Sequence, residues 1–247
     1  LGLASFLWYN LFMEKLLIDS RMREIEKEKL QALNYELVSL EPQERVYEEI
    51  SSHVDVFFCK IKDKLVAEKE IFSLYQEKIP NLIQGKTILE KEYPKDIAYN
   101  VCQIGDYVFH PFSYTDPVIQ MLIKKYSLKK INIKQGYSKC SIAVLDKNCA
   151  ITTDKKIADQ LIKCHIDTIY MLPSSDIKLL KKDGCYSSMQ GFIGGAISRI
   201  DQYVIVTGDL NKIDQEGIIR KKIEEKKLIL IDFPDLDVID YGGMIKI

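Results

Sequence analysis

A repeated strand–strand–helix–strand unit constrains the fold of this sequence more than any other feature, and it is clearest in residues 137–172. Two apolar runs with strand-like alternation lie on either side of a polar break at residues 146–148. Asp154 then precedes apolar residues with the spacing of one helical face, where an aspartate is a favourable N-cap. Residues 166–172 form a β-branched apolar run, which is typical of a buried strand. The stretch therefore predicts two strands, a helix and a third strand.

The same order of elements recurs along the chain. Comparable first strands are predicted to begin at His53, Asp96 and Phe192. Residues 15–40 have the pattern of a strand, a helix and a strand and lack a first strand, whereas residues 239–247 are a first strand with nothing after it. Pairing of these two chain ends would complete a fifth unit and leave no bare sheet edge between them. Five such repeats indicate a radial or stacked α/β assembly.

The overall charge and the cysteine pattern argue against several classes of function. The formal net charge of −1 provides no bulk field that would attract nucleic acid or an anionic membrane surface. Six cysteines occur without any CxxC pair and there are three histidines, so we expect no metal and no cofactor. Several cysteines lie within apolar strand patterns, which indicates free buried thiols in a reducing cytoplasm. We therefore expect a cytoplasmic protein that binds neither nucleic acid nor membranes.

Residues 1–12 are apolar and are considered apart from the fold. A bilayer-spanning helix needs ~20 apolar residues, and this segment has neither a basic region nor a small-residue cleavage site. Met13, which is followed by charged residues, looks like a natural start. We therefore expect residues 1–12 to be an upstream extension or one added for expression, and residues 13–247 to form one domain. A fragment of a signal anchor is the alternative.

Four short motifs connect the repeat to a known superfamily. They are GYSKCS at residues 136–141, ITTD at 151–154, GFIGG at 191–195 and DYGG at 240–243. Together with the five units, they make residues 13–247 resemble the pentein fold of the guanidino-group modifying enzymes, and most closely an uncharacterised bacterial branch. The resemblance implies a five-bladed α/β propeller of ββαβ units with pseudo-fivefold symmetry, closed by pairing of the N- and C-terminal strands. It also implies that the first strands converge on a central axis.

The resemblance further implies a catalytic triad, which this sequence lacks at the matching positions. In the enzymes of this superfamily a cysteine from the C-terminal strand attacks the guanidinium carbon, a histidine from the fourth unit moves protons, and acidic residues hold the substrate. The matching positions here are residues 242–244, 137–139 and 98–100, and none holds the expected residue type. No cysteine follows Cys185. Cysteine chemistry in its usual arrangement is therefore not expected.

Other reactive side chains occupy the starts of the predicted first strands. His53 and Asp55 form a histidine–carboxylate pair, and residues i and i+2 of a strand share one face, so Asp55 could orient His53 as a base. Cys140 lies between Lys139 and Ser141, and a lysine can lower the pKa of a neighbouring thiol. Cys140, His53 and Asp55 are therefore the candidate catalytic residues. The alternatives are a solvent-exposed strand start for the pair and a buried structural thiol for Cys140.

Residues at the predicted axial ends are also candidates for binding a ligand. The set comprises Asp96, Asn100, Lys139, Ser141, Gly194, Gly195 and Asp240. The two glycines either open a pocket or allow close packing of the converging strands.

Two functions are compatible with these residues. The first is a non-catalytic protein of this fold that binds a small ligand or a partner at the central axis, as the missing triad suggests. The alternative is a divergent hydrolase or amidinotransferase that acts on a guanidino or amide substrate through Cys140, His53 and Asp55. Residues 173–190 are polar and irregular in pattern, and their length suits either a lid over the axis or an ordinary connection. The sequence does not determine the oligomeric state.

Overall fold

A computed structural model describes residues 13–247, whose strands form six three-stranded sheets. In chain order the strands are β1 (Glu14–Asp19), β2 (Tyr35–Leu40), β3 (Phe58–Ile61), β4 (Lys64–Ala67), β5 (Ile83–Gln84), β6 (Cys102–Ile104), β7 (Tyr107–His110), β8 (Lys129–Asn132), β9 (Ile142–Asp146), β10 (Cys149–Thr152), β11 (Asp167–Tyr170), β12 (Ile177–Leu180), β13 (Tyr186–Gln190), β14 (Ile197–Ile200), β15 (Tyr203–Val206), β16 (Ile229–Ile231), β17 (Val238–Ile239) and β18 (Ile245–Lys246). The helices are α1 (Glu24–Ala32), α2 (Val54–Phe57), α3 (Ile71–Tyr75), α4 (Pro117–Lys125), α5 (Lys155–Lys163), α6 (Ile193–Ala196) and α7 (Ile218–Glu225), and the 3₁₀ turns are Glu48–Ile50 and Leu210–Lys212. The expectation for residues 1–12 lies outside the described residues.

Five of the sheets share one topology, in which the middle strand is antiparallel to the first strand and parallel to the third. They are β18–β1–β2, β3–β4–β5, β6–β7–β8, β9–β10–β11 and β14–β15–β16. A helix lies between the two parallel strands in each case. This is the predicted strand–strand–helix–strand unit, and it gives the chain an α/β fold.

The two ends of the described chain pair with each other. β18 runs antiparallel to β1, with Leu16 opposite Lys246 and Leu17 opposite Ile245. Leu16 and Leu17 are fully buried, whereas Ile245 and Lys246 are half-buried, so the β1 side of this pairing belongs to the apolar core. The last strand of the chain thus supplies the first strand that the N-terminal unit lacks.

The first strands of the repeated units are shorter than the sequence pattern predicts. Over residues 53–61 and 192–200 one helical turn, α2 or α6, comes before the strand. Residues 137–141 also turn, and the Ser141 N–H donates to the Tyr137 carbonyl at 3.0 Å. Periodicity cannot distinguish a short buried strand from a buried helical turn, which is why the prediction of continuous strands was wrong here.

Residues 173–190 are more ordered than the sequence pattern predicts. β12 and β13 form an antiparallel hairpin, and β12 also pairs in parallel with β17. These three strands make the sixth sheet, which has no counterpart in the repeat. The prediction of an irregular connection was wrong because the partner strand β17 is distant in the sequence.

Aspartates cap the N-termini of α4 and α5, and the cap at Asp154 was predicted from the sequence. The Asp116 side chain accepts a hydrogen bond from the Val118 N–H at 2.8 Å. Asp154 accepts hydrogen bonds from the N–H groups of Lys156 and Ile157 at 2.7 and 3.0 Å. These bonds satisfy backbone donors that have no partner within the helix.

Within residues 13–247, no helix combines the length and the apolar character needed to cross a membrane.

Candidate active site

A cavity of about 380 Å³ lies where the helical turns before the first strands meet the hairpin of β12 and β13. Its apolar and aromatic lining consists of Tyr47, Ile50, Tyr137, Leu179, Met189 and Phe192. Its polar lining consists of Glu49, His53, Cys140, Gln190 and Asp240. An apolar wall with a few convergent polar groups is the usual form of a small-molecule site.

The three residues predicted as catalytic come together at this cavity. His53 is the N-cap residue of α2 and Asp55 lies in its first turn, while Cys140 lies in the turn before β9. The Cys140 Sγ donates to Asp55 Oδ2 at 3.0 Å, and potential ligand atoms of His53, Asp55 and Cys140 all lie within 4.8 Å of one another. All three are buried. His53 and Asp55 are neighbours through a helical turn, so the reasoning from a shared strand face was wrong.

Asn100 fixes the position of Cys140. Its Nδ2 donates to Cys140 Sγ and to the Asp55 carbonyl, both at 3.1 Å. Its Oδ1 accepts from the N–H groups of Lys139 and Cys140 at 2.7 and 3.2 Å. The Asn100 amide thus bonds to the Cys140 thiol, to the backbone of Lys139 and Cys140, and to the backbone of Asp55. It therefore connects the turn before β9 to α2.

Asp240 lies against His53 at the other side of the cavity. His53 Nδ1 is 3.7 Å from Asp240 Oδ1, which accepts from the Gly242 N–H at 2.8 Å. Asp240 Oδ2 accepts from the Phe192 N–H at 2.7 Å. A Cβ atom on Gly195 would overlap this carboxylate, so Gly195 allows close packing.

Gly194 and Lys139 lie beside the cysteine without facing the cavity. The Gly194 N–H donates to the Cys140 carbonyl at 2.6 Å, and a Cβ atom on Gly194 would overlap the carbonyls around it. Lys139 Nζ donates to the Gly194 carbonyl at 3.2 Å. Both glycines predicted to bind a ligand therefore serve packing, and Lys139 has a backbone partner.

Asp96 and Ser141 do not line this cavity. Asp96 accepts a hydrogen bond from the Tyr137 hydroxyl, which places it behind the aromatic wall. Ser141 lines a neighbouring cavity of about 330 Å³, which shares Gln190 and Phe192 with the first.

Burial determines the protonation of the site. It lowers the pKa of His53 and raises the pKa of Asp55 to about 7, although the positive charge of Lys139 opposes the second shift. Burial also raises the pKa of the Cys140 thiol well above its ordinary value, and the charges of Asp55 and Asp240 raise it further. The thiol is thus protonated and the imidazole neutral at neutral pH. The expectation that Lys139 lowers the pKa of Cys140 was wrong, because burial outweighs it.

Several polar atoms of the site lack partners. Both ring nitrogens of His53 and Oδ1 of Asp55 make no hydrogen bond within residues 13–247. By contrast, both ring nitrogens of His110, which is also buried, are hydrogen-bonded, to the Thr115 hydroxyl and the Ile97 carbonyl. Buried polar groups are normally paired, so orphaned groups beside a cavity indicate a binding or catalytic site. Histidine, carboxylate and thiol are also ligands of zinc, and the expectation of no metal stays a prediction.

Most residues of the cavity wall were not predicted from the sequence. Tyr47 and Glu49 come from the turn at Glu48–Ile50, and Leu179, Met189 and Gln190 come from the β12–β13 hairpin. Neither segment belongs to the repeated unit from which the site was predicted. The apolar residues Ile177, Leu179, Leu180 and Met189 within residues 173–190 were the available signal.

Three solved structures that match this chain are distant from it in sequence. Dimethylarginine dimethylaminohydrolase from Pseudomonas aeruginosa, complexed with citrulline, matches with a TM-score of 0.58 and 13% identity, covering 96% of this chain and 100% of that one. The N-terminal domain of ArgZ, a cyanobacterial arginine dihydrolase bound to its product, matches with a TM-score of 0.54 and 8% identity, covering 95% and 97%. Agmatine deiminase from C. jejuni with bound substrate matches with a TM-score of 0.50 and 11% identity, covering 95% and 93%.

These matches show that the chain has the pentein fold of the guanidino-group modifying enzymes. No curated protein matches the sequence significantly. The sequence matches a family of unknown function, DUF6873, over residues 17–245, and the chain belongs to that family.

Proposed function

We propose that the cavity binds a small molecule with a guanidinium group and that Cys140 attacks its central carbon in a hydrolysis or transfer reaction. The observation that carries this proposal is the hydrogen bond of 3.0 Å from the Cys140 thiol to Asp55, with His53 within 4.8 Å of both. A nucleophile, an acceptor for its proton and a second proton carrier are thus grouped beside one cavity.

The charge of the site favours a cationic substrate. Asp55 and Asp240 are buried carboxylates on either side of Cys140 and His53. A guanidinium is a planar fork of donors that matches carboxylates, and its positive charge would stabilise their ionised forms. The structural neighbours named above include a dimethylarginine dimethylaminohydrolase complexed with citrulline, an arginine dihydrolase and an agmatine deiminase, which is compatible with this substrate class.

The same cation would activate the thiol. Burial and nearby negative charge keep Cys140 protonated, and a bound guanidinium replaces that environment with positive charge. Asp55 takes the thiol proton while sulfur forms a bond to the guanidinium carbon. His53 relays the proton to the leaving nitrogen, the carbon–nitrogen bond breaks, and an amine departs. Water then adds to the thiouronium carbon, the carbon–sulfur bond breaks, and a urea-type product, the Cys140 thiol and one proton result.

The experiment compares Cys140→Ala with Cys149→Ala, a variant at another buried cysteine outside the cavity. Across a panel of guanidino compounds, we expect Cys140→Ala to lower turnover at least about 1,000-fold and Cys149→Ala to retain it. Mass spectrometry of acid-quenched wild-type protein should find the covalent adduct on the peptide that contains Cys140. Turnover that survives in Cys140→Ala would overturn the catalytic proposal.

The second candidate is binding without turnover. The raised pKa of the Cys140 thiol favours it, because a protonated thiol is a poor nucleophile. In that case a guanidino compound raises the unfolding temperature equally in wild-type protein and in Cys140→Ala, and neither consumes it.

We also propose that the five sheets of common topology stand as blades around one axis, with pseudo-fivefold symmetry and closure through β1 and β18. Their shared strand order and the pairing of Leu17 with Ile245 support this arrangement. The cavity would then lie at one end of the axis, where the turns before β3 and β9 bring His53 and Cys140 together.

A further inference from the structure

Among aspartate, glutamate, lysine and arginine, only acidic residues line the cavity. Glu49 and Asp240 line it directly, and Asp55 lies in contact with the sulfur of Cys140. His53, whose pKa burial lowers, is neutral at neutral pH. No lysine or arginine lines this cavity in the part of the chain that the structure describes. An entering ligand therefore meets several carboxyl groups and no lysine or arginine in the wall of the cavity.

The Glu49 carboxyl group has no cationic partner among the described residues. Its side chain accepts one hydrogen bond within residues 13–247, from the Ser187 hydroxyl of β13 at 2.9 Å. Arg21 approaches the same segment but donates to the Glu49 backbone carbonyl at 2.9 Å and pairs with Asp19 at 2.7 Å. Because Glu49 is 8% exposed, the dielectric around its carboxylate is well below that of water.

Two basic residues near the cavity, Lys139 and Lys91, each contact another group of the protein. Lys139 donates to the Gly194 carbonyl, and Lys91 lies 6.0 Å from the centre of the Tyr47 ring. Neither lines the cavity. A ligand carboxylate would therefore lose its hydration next to other carboxylates with no cation to pair with, which is strongly unfavourable. A ligand ammonium would instead gain a charge-assisted hydrogen bond to Glu49.

We infer that the cavity selects a guanidino compound whose other end is a second cation and which carries no carboxylate. The guanidinium lies at Asp55 and Asp240, and the second cation lies at Glu49. This inference rests on the proposed guanidinium site and adds to it the identity of the far end of the substrate. Free guanidino amino acids are excluded by their carboxylate.

The test measures Kd by titration calorimetry for three probes of similar chain length: 4-guanidinobutylamine, butylguanidine and arginine. The full chain carrying Cys140→Ala is used, so that binding is measured without turnover. We expect the amine to bind at least about tenfold more tightly than butylguanidine, and arginine to bind at least about tenfold more weakly than butylguanidine.

The variant Glu49→Gln tests the contact between Glu49 and the second cation of the ligand, and Glu48→Gln is its matched control. Glu48 is exposed, adjoins Glu49 and does not line the cavity, so its substitution changes the net charge equally. We expect Glu49→Gln to reduce the ratio of amine to butylguanidine affinity about tenfold, and Glu48→Gln to change it less than about twofold.

The outcomes separate the two proposals. Arginine binding as tightly as the amine, or an affinity ratio that Glu49→Gln leaves unchanged, overturns the inference while the guanidinium site stands. Failure of all three probes to bind overturns the guanidinium site and the inference together.

Discussion

Asp116 and Asp55 are both buried carboxylates, but the fold surrounds them in opposite ways. Asp116 accepts from the N–H groups of Lys86, Thr87 and Val118 at 2.8, 2.7 and 2.8 Å and from the Tyr99 hydroxyl at 3.1 Å. Asp55 has the Cys140 thiol on one oxygen, and the other oxygen has no partner within residues 13–247.

The pKa values follow from these surroundings. Burial alone would raise the pKa of Asp116, but the backbone hydrogen bonds from Thr87 and Lys86 lower it below its ordinary value. Burial raises the pKa of Asp55 from 3.8 to about 7, and the charge of Lys139 only partly opposes it. Burial by itself therefore does not identify a functional carboxylate. A lack of donors around a buried group next to a cavity does.

The largest expected effect is the loss of stability in Asp116→Asn. An amide can accept fewer of the four hydrogen bonds, and its NH₂ group would face backbone donors, so we expect unfolding to become easier by about 3 kcal/mol at pH 7. Denaturant titration measures this. Because the pKa of folded Asp116 is lowered, its contribution is present above the unfolded value and is lost as pH falls through the folded value. The deficit of the variant should therefore shrink in acid. If Asp116→Asn had the same denaturation midpoint as the wild-type protein at pH 7, Asp116 would not be a stabilising carboxylate and its contrast with Asp55 would not hold.

Asp55→Asn should act in the opposite direction. An ionised Asp55 is costly in the folded state, so the amide should stabilise the protein by about 2 kcal/mol at pH 8. The folded pKa of about 7 exceeds the ordinary 3.8, so the folded state binds the proton more tightly between these values. Wild-type stability therefore falls as pH rises from about 4 to about 7, whereas that of the variant does not.

Unfolding curves of both proteins at several pH values between 4 and 8 test this. The gain should be absent near pH 4 and full near pH 8, while turnover of guanidino compounds falls about 100-fold or more. A destabilised Asp55→Asn at pH 8 would mean that Asp55 is a structural residue like Asp116.

The sequence predicted the members of the site better than their geometry. The repeat located His53, Asp55 and Cys140 at the starts of equivalent units, and in the structure these starts meet. Where a continuous strand was predicted, the structure has a helical turn. Apolar runs of this length lack a period that distinguishes a strand from a helical turn.

The remainder of the cavity depends on contacts between segments that are distant in the sequence. Glu49 lies next to Ser187 only because the hairpin that carries Ser187 folds across to the turn at Glu48–Ile50. β12 of that hairpin pairs with β17, which belongs to none of the repeated units. Local patterns contain no information about such a pairing. The helix cap at Asp154, in contrast, depends on neighbouring residues and was predicted correctly.

The smallest expected effect is that of Asp209→Ala, which extends the comparison to a third carboxylate. Asp209 accepts from the N–H groups of Asn211 and Asp235 at 2.9 and 3.0 Å and does not line the cavity. As a cap with backbone donors it belongs with Asp116, and its loss should cost about 1 kcal/mol of unfolding free energy. Denaturant titration measures this cost, and turnover or ligand affinity should stay at the wild-type level. Asp209→Ala could instead lower turnover or ligand affinity as much as Asp55→Asn does. In that case, hydrogen bonds from backbone N–H groups would not distinguish structural from functional carboxylates in this fold.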